Sequence, residues 1–147
     1  KEPVRVTRRL TLPVINWNHY KRQDMQDNNC PFCDKANYKS EGDLAFTKTD
    51  SYPVSTGHTL VIPNRHISSY FDCTDSERLE LWSLVEQVKT ELEDTFAPDG
   101  FNIGINVGEA AGQTVPHMHI HVIPRYSGDM DDPRGGVRGV IPNKQKY

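Results

Sequence analysis

The sequence predicts an α+β domain, and three stretches carry that prediction. Residues 117–123, His117-Met118-His119-Ile120-His121-Val122-Ile123, alternate with a period of two, and a strand sends successive side chains to opposite faces. Phe101-Asn102-Ile103-Gly104-Ile105-Asn106-Val107 alternates in the same way. Leu81, Leu84, Val85, Val88, Leu92 and Phe96 instead recur at spacings of three and four, the apolar stripe of an amphipathic helix. At 147 residues the chain is the size of one domain with a real core.

Composition removes several functional classes. A net charge of -3 and a pI near 6.1 argue against a nucleic-acid surface, which needs a basic excess, so no nucleic-acid partner is expected, sequence-specific or otherwise. Small anions stay open as ligands. There is no run of about eighteen apolar residues and no apolar signal-peptide core, so the expectation is a cytoplasmic protein with no membrane partner. Three cysteines, an odd count, do not suit a secreted disulfide framework.

Residues 1–29 read as an N-terminal arm. Arg5, Arg8 and Arg9 flank Leu10, Leu12, Val14 and Ile15, with Pro13 interrupting, as an edge strand or an arm crossing a partner. Cys30-Pro31-Phe32-Cys33 follows. Two thiolates at this spacing suit half of a tetrahedral zinc site; free buried cysteines are the alternative. A thioredoxin-like redox pair would need a preceding strand, and polar Asp27-Asn28-Asn29 stands there instead. Cys73 reads as a plain thiol.

Residues 43–48 predict a short strand around Leu44 and Phe46, ended by the turn-like Asp50-Ser51-Tyr52-Pro53, and residues 58–62 predict the next, entered through Gly57. Thr74-Asp75-Ser76-Glu77 fits a capping box, so the helix starts there. Glu80, Glu86, Lys89 and Glu93 are expected to face water, and Pro98 and Gly100 stop it. In 101–107, Phe101, Ile103, Ile105 and Val107 are expected in the core. Residues 108–112 make a glycine-containing loop short enough for an antiparallel hairpin into the histidine strand. There His117, His119 and His121 line one face about 7 Å apart, with Met118, Ile120 and Val122 under the other. The row holds half of the six histidines, and imidazole serves as base, nucleophile or metal ligand. Beyond Pro124 the density of Gly, Pro and Asp precludes a regular core element of any length; the tail carries Arg134 and Arg138.

His117-Met118-His119-Ile120-His121-Val122-Ile123 resembles the histidine triad motif, His-x-His-x-His with apolar residues between and after, of the histidine triad (HIT) nucleotide hydrolases and transferases. Gly112-Gln113-Thr114-Val115 also fits, and Gly57-His58-Thr59-Leu60-Val61-Ile62-Pro63 resembles a second signature of that family. The resemblance covers roughly residues 30–126. It implies a HIT-like fold, an antiparallel sheet of about five strands with one long helix packed on it, and a homodimer formed by extending the sheet. The chain then divides into an arm (1–29), a HIT domain (30–126) and a tail (127–147).

The same resemblance assigns roles. In the branch that includes the uridylyltransferases, a structural zinc is held by two cysteines and two histidines, which fall here on Cys30, Cys33, His66 and His117. His119, His121, His58 and Gln113 become the catalytic set. His119 is the nucleophile, its other N–H held by an acceptor such as a backbone carbonyl, and His121, His58 and the amides near Gln113 and Thr114 balance phosphoryl charge. The substrate-binding set is Phe46, Asp50, Asn106, Gln113, Thr114 and His121, with Phe46 and Asp50 cupping the nucleoside and Asp50 accepting from ribose hydroxyls. No catalytic metal is required. Arg134 and Arg138 would suit a polyphosphate path, or belong to a mobile or dimer-crossing tail.

The implied function is a nucleotide hydrolase cleaving at the α-phosphate of dinucleoside polyphosphates or nucleoside phosphoramidates through a nucleotidyl-histidine intermediate. Two alternatives stand beside it. One is a nucleotidyltransferase or phosphorylase sharing that intermediate. The other departs from this chemistry: a catalytic metal on the histidine row, or a zinc-stapled nucleotide-binding or interaction module.

Overall fold

A computed structural model describes residues 29–34 and 38–147; the N-terminal arm expected from the sequence lies, through residue 28, outside the described residues. Five strands, β1 (Ser40–Glu41), β2 (Ala45–Thr49), β3 (Thr59–Pro63), β4 (Gly100–Ile105) and β5 (Ile120–Arg125), form one sheet in the order β1-β2-β3-β5-β4. Every neighbouring pair is antiparallel. Among the described residues one α-helix, α1 (Asp75–Phe96), packs on it. This is the α+β architecture that the periodicities predict. No helix among the described residues is long and apolar enough to cross a membrane.

The two faces of the sheet separate by alternation. Ala45, Val61, Met118, Ile120 and Val122 pack against Leu81, Leu84, Val85, Val88 and Leu92 of α1. Phe46, Leu60 and Ile62 point the other way and pack with Cys30 and Phe32. Leu60 pairs with His121, so the histidine face is the face away from the helix.

The start of α1 anchors a loop that later matters to the site. The Glu77 N–H donates to Thr74 Oγ1 (3.2 Å) and the Thr74 N–H to Glu77 Oε2 (2.8 Å), a complete capping box. Glu77 is only 4% exposed, and Arg65 donates to it from Nε and Nη2, both at 2.9 Å. That pairing holds the Glu77 carboxyl below the usual carboxylate range despite burial. It also ties the segment carrying His66 to the helix. At the other end, Gly57 has φ +87°, and a Cβ there would meet Leu92 Cδ2 at 2.8 Å. The β2–β3 loop can pass the last turns of α1 only without a side chain.

Four details differ from the sequence expectation. The histidine strand begins at Ile120 rather than His117, because the opposite strand ends in Pro63, which lacks an N–H, and the Met118 N–H turns to Ile67 O (2.6 Å). Residues 106–119 therefore connect β4 to β5, longer than the hairpin loop expected. Glu80 does not face water alone: its Oε1 accepts from the Leu44 and Ala45 N–H groups (2.7 and 2.9 Å) and ties α1 to β2. Phe96, counted in the apolar stripe, is 41% exposed at the helix end.

The tail contains no strand or α-helix, as predicted, but it is closed on itself by two single 3-10 turns, Gly136–Val140 and Pro142–Lys144. Arg138 donates to the carbonyls of Lys144 and Gln145, and Asp132 pairs with both Arg134 and Lys146.

Candidate active site

His117 and His119 lie in the extended approach to β5, and His121 in its second position. His119 is 7% exposed, and its Nδ1 donates to the His117 carbonyl at 2.8 Å. The proton is thereby held on Nδ1 and the lone pair on Nε2. His58, brought in by the Gly57 turn, sets the third histidine. The Val54 N–H donates to His58 Nδ1 (3.3 Å), which places the His58 proton on Nε2, 3.0 Å from His121 Nδ1. His121 then carries its own proton on Nε2. Asp50 Oδ2 stands 3.4 Å from His58 Nδ1 and 3.9 Å from His121 Nδ1, a carboxylate beside the imidazole pair.

Burial dominates the titration of these rings. It pushes His119 below the ordinary histidine value, against the favourable His117 carbonyl, and lowers His58 against the attraction of Asp50. His121 falls to about 4 through burial and then through the neighbouring His119 and His58 rings. All three are neutral near pH 7, the state a nitrogen nucleophile requires.

A cleft of about 310 Å³ opens over this row, lined among others by Phe32, Asp50, Tyr52, Thr114, His119 and His121. A second cavity of about 340 Å³ takes in His58, Asn106 and again His121. The two cavities thus gather Asp50, His58, Asn106, Thr114, His119 and His121 around one row of imidazoles.

Four residues expected near the substrate do not line the cleft. Phe46 is fully buried, stacked on Tyr38 with centroids 3.7 Å apart, and does not line the cleft; it packs with Leu60, Ile62 and Phe32 on the sheet face away from the helix. Gln113 is 3% exposed and does not reach into the cleft. Its Oε1 accepts from the Gly108 N–H (2.8 Å), and its Nε2 donates to the carbonyls of Ser68 (2.8 Å) and Val115 (3.2 Å). These bonds brace the loop that presents Thr114. Arg134 and Arg138 line neither cavity, because their guanidinium groups are committed within the tail. The sequence reading missed Phe32, Tyr52 and Val115 as cleft walls. Phe32 sits inside the cysteine pair, and its ring meets that of His119 edge-on at 5.1 Å.

On the other side of His117, the sulfurs of Cys30 and Cys33 and one nitrogen each of His66 and His117 all lie within 4.8 Å of one another. Cys30 Sγ and Cys33 Sγ are 3.5 and 3.6 Å from His117 Nδ1, and Cys33 Sγ is 3.2 Å from His66 Nδ1. A tetrahedral zinc with ordinary Zn–S and Zn–N bonds spaces such atoms about 3.6 Å apart, so the donor set fits that ion. His117 Nε2 donates to the Pro63 carbonyl (2.9 Å), which turns the lone pair of Nδ1 toward the sulfurs. Burial drives the His117 pKa down to about 4 and the Cys30 thiol up to about 11, so the imidazole is neutral and metal binding would have to displace a thiol proton.

Comparison with known proteins gives this geometry a context. An uncharacterized 16.1 kDa HIT-like protein of Mycoplasma pneumoniae is 42% identical over 113 residues, 72% of this chain and 78% of its own length. An AP-4-A phosphorylase of Mycobacterium tuberculosis is 36% identical over 91 residues, and an asymmetrical bis(5'-nucleosyl)-tetraphosphatase of Schizosaccharomyces pombe 40% identical over 95. Those matches cover 61% and 65% of this chain but only 47% and 51% of the two enzymes, so the chain spans about half their length. Among solved structures, a HIT family protein from Bacillus anthracis aligns with a TM-score of 0.65 at 36% identity, covering 69% of this chain and 77% of that one. A zinc-bound histidine triad family protein from Mycobacterium smegmatis aligns with a TM-score of 0.64 at 32% identity, covering 71% and 80%. The HIT domain family model matches residues 34–128, and with the fold and the histidine row in agreement the chain belongs to the HIT domain family.

Proposed function

We propose that this chain hydrolyses dinucleoside polyphosphates or nucleoside phosphoramidates at the α-phosphate through a nucleotidyl-histidine intermediate. The observation that carries the reading is the pair of contacts at the two Nδ1 atoms, His119 Nδ1 on the His117 carbonyl at 2.8 Å and His121 Nδ1 on His58 Nε2 at 3.0 Å, from which the Nε2 lone pair of His119 and the Nε2 proton of His121 are assigned. His119 Nε2 attacks the α-phosphorus in line, and the bond from phosphorus to the leaving oxygen or nitrogen breaks. His121 Nε2–H donates a hydrogen bond to the leaving group, which departs as a phosphate anion or, from a phosphoramidate, as the amine with a proton taken from solvent. The Asp50 carboxylate offsets the positive charge that forms on the nucleotidylated His119 imidazolium. Water then attacks the same phosphorus, the phosphorus–nitrogen bond breaks, and the nucleoside monophosphate leaves. Asp50 and Thr114 in the cleft hold the ribose and phosphate.

Cys30, Cys33, His66 and His117 would hold one zinc, which supplies no chemistry to the reaction and clamps the residue preceding Met118 and His119 in place. A homodimer joined along the outer edge of β4 completes the reading.

The test is product analysis by mass spectrometry with diadenosine tetraphosphate, diadenosine triphosphate and adenosine 5'-phosphoramidate. Wild type releases AMP and His119→Asn releases none. Retention of about a tenth or more of the rate by the variant rules out the covalent histidine. A phosphorylase, the activity named for the Mycobacterium tuberculosis relative, would release ADP in place of AMP when phosphate is added.

A further inference from the structure

The second cavity shares His58, Asn106 and His121 with the site described above and adds parts of the chain that the reaction itself does not use. Its floor is β4 and β5. Asn102 pairs with Ile123 and Gly104 with His121, so these positions share a face, and Gly104 leaves the floor open because a Cβ there would meet nothing within 4 Å. Its wall is the tail turn, which contributes Val137 and Val140, with Val54 opposite from the β2–β3 loop. The three valines are 59%, 75% and 73% exposed, so the tail and loop hold aliphatic side chains toward solvent around one concave surface.

The turn is held in place. Gly135 has φ +86°, and a Cβ on it would run into the Gln145 carbonyl, so the tail closes only with glycine there. Arg125 donates to Asn102 Oδ1 (2.6 Å) and pairs twice with Asp129, which fixes the Asn102 amide on the side of Gly136.

We infer that this cavity is a second nucleoside subsite, holding the base and ribose of the departing nucleotide. The inference rests on the reaction proposed above and adds, for the dinucleoside substrates named there, where the second nucleoside binds. Three observations support it. His121 lines both cavities, so a phosphate chain leaving the phosphorus at His119 passes over His121 into this one. No lysine, arginine, aspartate or glutamate lines the cavity, which disfavours a free phosphate and suits a neutral heterocycle. Aliphatic walls with two carboxamides, Asn102 and Asn106, match a planar base with polar edges, and about 340 Å³ lies within the usual size of ligand cavities, about 300–1,000 Å³.

Equilibrium binding to the His119→Asn protein separates this inference from the reaction. The probes are diadenosine tetraphosphate and adenosine 5'-tetraphosphate, which differ only by the second nucleoside. The diadenosine compound is expected to bind about tenfold or more tightly. That advantage should shrink to about twofold or less both in the Val137→Ser, Val140→Ser double variant and in Gly135→Val, which unmakes the tail turn. Equal binding of the two probes with the native tail, or an advantage that survives both tail variants, overturns the subsite. Failure of wild type to turn over any substrate would overturn the proposed reaction, while the binding comparison would still decide the subsite.

Discussion

Replacing Gln113 with methionine removes three hydrogen bonds while nearly conserving side-chain length and volume. The Gly108 N–H and the Ser68 and Val115 carbonyls lose their partner at a position 3% exposed to solvent. At about 1 kcal/mol net per bond the variant is about 3 kcal/mol less stable. For a chain of this size that is a melting temperature lower by roughly 6–12 °C. The assay is urea denaturation followed by circular dichroism, with steady-state kinetics alongside. Because Thr114 and Val115 line the cleft, loosening their loop is expected to raise KM more than it lowers kcat. A stability loss below about 1 kcal/mol together with a large fall in kcat would refute the bracing role and favour a direct catalytic one for Gln113.

Metal analysis of protein purified without chelator should give about one zinc per chain, lost in Cys33→Ser together with thermal stability; less than about half a zinc counts against the site, and two would point to a metal on the histidine row. His121 titrates near 4 when folded and near 6.5 when unfolded, so the unfolded chain binds the extra proton between those values. Its contribution is therefore complete above about pH 6.5 and declines as the pH falls toward 4, by on the order of 3 kcal/mol. Denaturation midpoints across that window should flatten in His121→Gln, and an unchanged slope would contradict the assignment. Gly57→Ala adds a Cβ 2.8 Å from Leu92 Cδ2 at φ +87°, and should cost about 2–4 kcal/mol in urea at unchanged m-value. A shift below about 0.5 kcal/mol would show that the loop moves aside.

The local features of this protein were legible in its residues because they depend on spacing within a few positions. The capping box at Thr74 and Glu77, the buried face of α1 from Leu81 to Leu92 and the inward set Met118, Ile120 and Val122 follow from the periods of helix and strand. The boundaries were less legible. Where β5 begins depends on Pro63, which lies opposite in the sheet and not beside it in the chain.

Site chemistry divides along the same line. The Cys30 and Cys33 spacing announces half of a metal site, but its completion by His66 and His117 needs the loop held by Arg65 and Glu77 to arrive beside the residues before β5. The residue types at Gln113, Phe46 and Arg138 suit substrate contact, and the hydrogen bonds and packing they make here could not be read from the sequence: Gln113 with loop carbonyls and an amide, Phe46 with Tyr38 on the sheet face away from the helix, Arg138 with the tail's own carbonyls. By itself the sequence determined the α+β class, the helix and the row of imidazoles, since side-chain direction in a regular element is set by position along it. Only the tertiary structure decided which atoms meet. The His58–His121 bond and the cavity walled by Val137 and Val140 join residues far apart in the chain, and their approach is fixed by strand register and loop closure, which no local pattern encodes.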